Sequence, residues 1–329
     1  MKDLTLLPLR QLPIGRPMLL DWQAAGWVLF PTVLCVAAIF WPTVESMVDV
    51  WSDSRTFAHG FLVLPIVGYL VWSSRARLAP LTPRPSIGGL LSLLISAGGW
   101  VIGMLYGVEW LQQAAVVAAL PGLVWTIYGS QIVRTLSWPL GFLVFLIPAG
   151  TSLEPWLQDL TAWLVMRGLD LSGIAYSYRD YHIVVRQADW EVAPDCGGLR
   201  YLLPGLSLAY AFATLTYREP LRRIAFLIFS AAALMLANGI RAYGIIVGND
   251  LGIAAGADHR LFSYTIYGLT MPCLLWLGLK WKLPSAAAAA SRPVRGGLVE
   301  VRTAMIAAFI GVGGLLLARL SVWMLSRSF

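Results

Sequence analysis

Nine apolar runs, each from about 14 to about 24 residues long, succeed one another along this chain of 329 residues. A hydrocarbon core roughly 30 Å thick asks for about 20 apolar residues per helical crossing. Inside lipid every backbone N–H and C=O must be satisfied within its own segment, so runs of this length fold as helices. Composition agrees: 58% of the residues are hydrophobic and only 12% charged, against roughly 25% charged in an ordinary soluble domain. The chain therefore reads as an all-α polytopic membrane protein. It should have about eight core transmembrane helices, an additional C-terminal one, an amphipathic helix and a small extracytoplasmic hairpin.

The formal charge of +7 is a matter of topology rather than a nucleic-acid footprint, because Lys and Arg sit in short loops between apolar runs. Three basic loops, at 75–84, 218–223 and 280–302, mark the cytoplasmic side. Four regions follow: a cytoplasmic arm over 1–21, a membrane-embedded domain over 22–283, a basic and Ala-rich cytoplasmic linker over 284–302, and a further transmembrane helix over 303–329. The run beginning near Ala24 is too long for a cleaved leader and reads as a retained first span, about Trp22 to Val44. The loop after it, with Glu45, Asp49, Asp53 and Arg55, has no basic excess and should lie outside.

Between a short fifth run (about Leu136 to Ala149) and the sixth (about Gly197 to Thr216) the pattern changes. Trp156, Leu157, Leu160, Trp163 and Leu164 recur at helical spacing opposite Glu154, Gln158, Asp159, Arg167 and Asp170, which defines an amphipathic helix at the interface or lining a cavity. Tyr181 to Val185 and Trp190 to Val192 read as a hairpin. The hairpin feeds into Pro194-Asp195-Cys196-Gly197-Gly198-Leu199-Arg200-Tyr201. The alternation of spans then puts Cys196, Arg241 near the end of the seventh run and His259 at the start of the eighth on one side of the membrane.

Ionisable residues in such a chain are functional candidates by default, because each is costly in lipid. With Asp195 as N-cap, Cys196 would open a helix, where unpaired N–H groups and the positive dipole end favour the nucleophilic thiolate. Gly197 and Gly198 would leave backbone donors open to an oxyanion, and Arg200 would lie a turn below Cys196 on the same face. His259 is suited to move protons, with Asp258 beside it to orient it, and Arg241 to stabilise negative charge. Each residue also has a bland reading, in which Cys196 is a packed thiol, Arg241 snorkels and His259 caps a helix. His59, heading the second run, is a candidate for substrate contact or support. Cys35 and Cys273 read as packing residues. No disulfide framework, metal-ligand pattern or cofactor motif is visible.

On Phe57-Ala58-His59-Gly60, the stretch from Glu191 to Arg200, Asn238-Gly239-Ile240-Arg241 and His259, the chain resembles the exosortases, with Gly197 standing where the family typically has Ser. The resemblance implies a cysteine transpeptidase or protease of the bacterial inner membrane. Its partners would be exported proteins with a C-terminal sorting signal (a Pro-Glu-Pro motif, an apolar span and a basic tail) and membrane lipid, with no nucleic acid. It makes Cys196 the nucleophile, Arg241 the transition-state stabiliser and His259 the proton shuttle, with Arg200, His59, Asn238, Gly197, Gly198 and Asp258 binding substrate or supporting the site. A polyprenyl-phosphate glycosyltransferase or a small-molecule transporter are the other classes a chain of this composition admits. The first would not need Cys196, and the second would carry repeats and midplane charges.

Overall fold

The computed structural model describes residues 22–250 and 259–281; the arm over 1–21, Asp258, the linker over 284–302 and the C-terminal run over 303–329 lie outside them. Contacts divide the chain into two units after Leu279, and the first unit holds nearly all of the described residues.

Its first half is built on the antiparallel pair α5 (Ile87–Leu105) and α6 (Glu109–Tyr128). Small residues let these two backbones meet: a β-carbon on Gly89 would lie 2.2 Å from the Thr126 backbone nitrogen. Close approach of this kind supplies the van der Waals contact that lipid-facing helices need in place of a hydrophobic driving force. Before the pair come α1 (Trp22–Ile39), α2 (Trp41–Asp53), α3 (Gly60–Ser73) and the short α4 (Arg75–Leu78). The expected first span is thus two helices, bent by 84° at Phe40, with Pro42 in the first turn of α2, where its missing N–H costs nothing. Glu45, Asp49 and Asp53, expected in a loop, are residues of α2.

The short fifth run is irregular. α7 (Ser130–Thr135), α8 (Ser137–Gly141) and a 3-10 turn over Phe142–Leu146 are followed by a second 3-10 turn (Thr151–Leu153) and α9 (Glu154–Ser172), with an 80° bend between the two halves. After α9 come β1 (Tyr176–Arg179), β2 (His182–Val185) and β3 (Ala188–Glu191), paired antiparallel in the order β1-β2-β3. The expected hairpin is therefore a three-stranded meander. Its first strand, Tyr-Ser-Tyr-Arg, has no buried alternation to announce it. Ile183 and Val185 of β2 pack with Val165 and Leu169 of α9 and Ile246 in one apolar cluster. Tyr181 fastens the meander to α9 by donating its phenol proton to Asp159 at 2.7 Å, a bond that raises the phenol above its ordinary pKa.

Three helices complete the unit: α10 (Leu199–Thr216), α11 (Pro220–Asp250) and α12 (His259–Lys280). Among the described residues, α5, α6, α11 and α12 are long and apolar enough to cross a membrane, and the count rises to six if each bent pair is one span. The expected eight core spans also count α3, apolar but only 14 residues long, and α10.

α9 mixes polar and apolar residues on both of its sides: Ala162, Val165 and Leu169 are buried together with two polar residues, and Asp159, Arg167 and Asp170 are exposed. Gln158 and Thr161 are buried against the rest of the chain, while Trp156 is 76% exposed and Leu160 and Trp163 also face outward. The expected polar face is thus split between the interior and the surface, and Gln158 and Thr161 turn inward because of what these polar side chains hold.

Candidate active site

What they hold is the segment containing Cys196. Pro194–Cys196 form a 3-10 turn ahead of α10, closed by the Cys196 N–H donating to the Ala193 carbonyl at 2.7 Å and the Gly197 N–H donating to the Pro194 carbonyl at 3.0 Å. Gly198 then takes φ +96° as the residue before α10, a left-handed conformation open to glycine at little cost. Cys196 is therefore not the first residue of the helix, and Asp195 is not its N-cap. Asp195 instead receives a hydrogen bond from Arg200 Nη2 at 2.7 Å, an ion pair of the second residue of α10 with the preceding turn. The backbone donors of Cys196 and Gly197 are occupied, so the oxyanion expectation moves one residue on. The N–H groups of Gly198, Leu199 and Arg200, at the start of α10, have no acceptor among the described residues.

The two glycines also serve a different purpose from the expected openness. A β-carbon on Gly197 would lie 3.2 Å from the Gln158 nitrogen and 3.5 Å from the Glu154 carbonyl oxygen, and one on Gly198 would lie 2.8 Å from the Asn238 side chain. Both let the loop press against α9 and α11. Gln158 donates from Nε2 to the Val192 carbonyl just before the loop. Thr161 Oγ1 lies 3.3 Å from the Gly197 carbonyl oxygen.

Asn238 of α11 stands at the centre, with 0% of its surface exposed. Its Nδ2 donates to the Cys196 carbonyl at 2.8 Å and to Thr161 Oγ1 at 2.9 Å. Its Oδ1 accepts from the Tyr267 hydroxyl at 2.9 Å and from Arg241 Nη1 at 3.5 Å. Two donor hydrogens and two acceptor lone pairs exhaust an amide side chain. Asn238 thus supports the site and has no capacity left for a substrate.

Arg241, three residues along α11, is set by the same group. Its Nε donates to Ser263 Oγ at 2.6 Å, and its guanidinium carbon lies 5.8 Å from the Tyr201 ring centroid. Tyr201 stacks on Tyr267 with centroids 3.8 Å apart and planes 14° from parallel. No carboxylate pairs with Arg241 among the described residues. Position 259 opens α12, one turn before Ser263 and two before Tyr267.

Cys196 itself is half-buried, and it packs beside the apolar cluster of α9, the meander and α11. Among the described residues, no group of acidic, His or Cys side chains is arranged to hold a metal ion. His59 is not part of this network: its Nδ1 contacts the Thr56 carbonyl oxygen at 3.1 Å and its ring lies against Phe145. Gln158, Thr161, Ser263 and Tyr267 escaped the sequence reading. The available signal was the four-residue spacing of 259, 263 and 267.

A bundle of apolar helices, in which one shared amide joins the loop of a half-buried cysteine to an arginine, defines a polytopic membrane protein. The family comparison is more specific: a model described as transmembrane exosortase matches residues 51–276, more than half of the chain, and the chain belongs to that family. The matched region contains Cys196, Asn238, Arg241 and His259. No curated protein and no solved structure matches the chain.

Proposed function

We propose that the chain is a cysteine transpeptidase or protease that cuts exported proteins at a C-terminal sorting signal of Pro-Glu-Pro type, with Cys196 as nucleophile, Arg241 as oxyanion stabiliser and His259 as proton shuttle. The observation that carries this reading is the Asn238 side chain, which ties the Cys196 carbonyl and the Arg241 guanidinium together. A merely packed cysteine needs no such tie. In the reaction the Cys196 sulfur attacks the scissile carbonyl carbon, and the negative oxygen that forms is met by Arg241 and by the free N–H groups that begin α10. His259 takes the thiol proton and delivers it to the departing amine as the C–N bond breaks. The acyl group stays on sulfur as a thioester. An acceptor amine, or water, then attacks that carbonyl, the C–S bond breaks and the thiol is restored.

The site faces the extracytoplasmic side of a bacterial inner membrane in this proposal, opposite the basic loops at 75–84, 218–223 and 280–302. The substrate's own apolar span would lie in the same bilayer, with its cleavage motif at the level of the cysteine loop.

The test is processing of a co-expressed protein carrying the sorting signal, followed by a mass shift on gels. Cys196→Ala and Cys196→Ser should abolish it. Arg241→Ala and His259→Ala should each reduce it by about 100-fold or more, with the protein still present in the membrane. Undiminished processing by the Cys196 variants would overturn the nucleophile assignment.

A further inference from the structure

We propose that Thr161 of α9 and Tyr267 of α12 are positioning residues for the reaction, holding Asn238 so that it presents the Cys196 loop and Arg241 in register. The inference rests on the reading of Cys196 as nucleophile.

An asparagine amide that is free to turn offers either end to its neighbours. Here one end faces acceptors and the other faces donors. The Cys196 carbonyl and Thr161 Oγ1 receive its N–H groups, while the Tyr267 hydroxyl and Arg241 give to its oxygen. Thr161 is able to accept because its own proton has two carbonyl oxygens within reach, those of Leu157 at 2.8 Å and Gly197 at 3.3 Å. Tyr267 is held by its stack on Tyr201, so its hydroxyl has little freedom to follow a moving partner. Of the two bonds to Oδ1, that from Tyr267 is the shorter, at 2.9 Å against 3.5 Å from Arg241. Thr161 and Asn238 are both fully buried, so a partner removed here is not replaced easily by solvent.

Two helices, α9 and α12, therefore brace the amide of a third, α11, through one hydroxyl each. Removing either hydroxyl leaves Cys196 and Arg241 in the chain but frees the amide that relates them. The consequence falls on the chemical step rather than on substrate binding, since the altered groups lie behind the loop.

The experiment uses the full-length enzyme in lipid nanodiscs and a peptide substrate containing the sorting signal. Thr161→Val and Tyr267→Phe should each lower kcat by about tenfold while leaving KM within about twofold. Thr161→Ser, which restores the hydroxyl, should recover most of the wild-type kcat. Alkylation of Cys196 by a maleimide, read by mass spectrometry of its peptide, should quicken about threefold in Thr161→Val and not in Thr161→Ser, as the loop loosens. Wild-type kcat and wild-type alkylation in both Thr161→Val and Tyr267→Phe would overturn the proposal. So would a Thr161→Ser enzyme as impaired as Thr161→Val, because that result assigns the effect to packing. If a Cys196→Ala enzyme still cleaves, the nucleophile reading fails. The alkylation rates of Thr161→Val and Thr161→Ser still decide whether the hydroxyl fixes the loop.

Discussion

At Gly198 a left-handed backbone and a missing β-carbon are required at once. The φ of +96° costs a non-glycine residue on the order of 1–3 kcal/mol, and the Asn238 amide lies where the β-carbon would go. Gly198→Ala should therefore lower the unfolding temperature and abolish processing. Gly197, with φ −61° and no approach shorter than 3.1 Å, should tolerate Ala at a cost of about 1 kcal/mol. Thermal unfolding of the two variants in the same detergent separates these outcomes. As candidates, Cys196 and Arg241 stand out in the sequence because a thiol and a charge are conspicuous in an apolar chain, and Asn238 stands out through the resemblance. Thr161, Ser263 and Tyr267 do not, because a hydroxyl in a membrane helix looks the same whether it back-bonds to its own turn or holds a partner. Asp195 does not cap the helix as its position suggests: the motif does not reveal that the helix starts at Leu199, and a carboxylate placed four residues earlier finds Arg200 instead.

Elements were readable where lipid imposes the pattern. α5, α6, α11 and α12 lie within a few residues of the apolar runs that announce them, whereas the bend at Phe40 and the meander answer to local packing. α9 shows the limit most clearly. Its period was visible, but periodicity does not say which medium each face meets. Gln158 and Thr161 turn toward the cysteine loop. Trp156, Leu160 and Trp163 are left on the surface with Asp159, Arg167 and Asp170, and this mixed surface should lie at the membrane interface with its Trp and Leu side chains in lipid. A nitroxide placed by Leu160→Cys in a background lacking the native cysteines should accordingly show high accessibility to oxygen and low accessibility to a nickel chelate. The reverse ratio would put the face in water. Trp163→Glu should reduce the amount of folded protein in the membrane by several-fold, since a carboxylate facing lipid costs about 2–3 kcal/mol.

For the whole molecule, the proposed orientation makes a prediction that needs no activity assay. Alkaline phosphatase fused after Asp180 in the meander should be active, and fused after Ala79 or Trp281 it should be inactive, because the enzyme folds only outside the cytoplasm. A fluorescent protein should report the opposite at each position. Reversal of both patterns would place the cysteine loop on the cytoplasmic face. α9 carries a further consequence at this scale. One helix, about 10 Å across, separates the loop holding Cys196 from the exposed side of the bundle. Under the proposed function, a substrate anchored in the same membrane would approach the thiol from the side of the bundle. Its search is lateral, confined to two dimensions, and the frequency of encounter is set by how many anchored chains share each patch of membrane rather than by their concentration in a compartment.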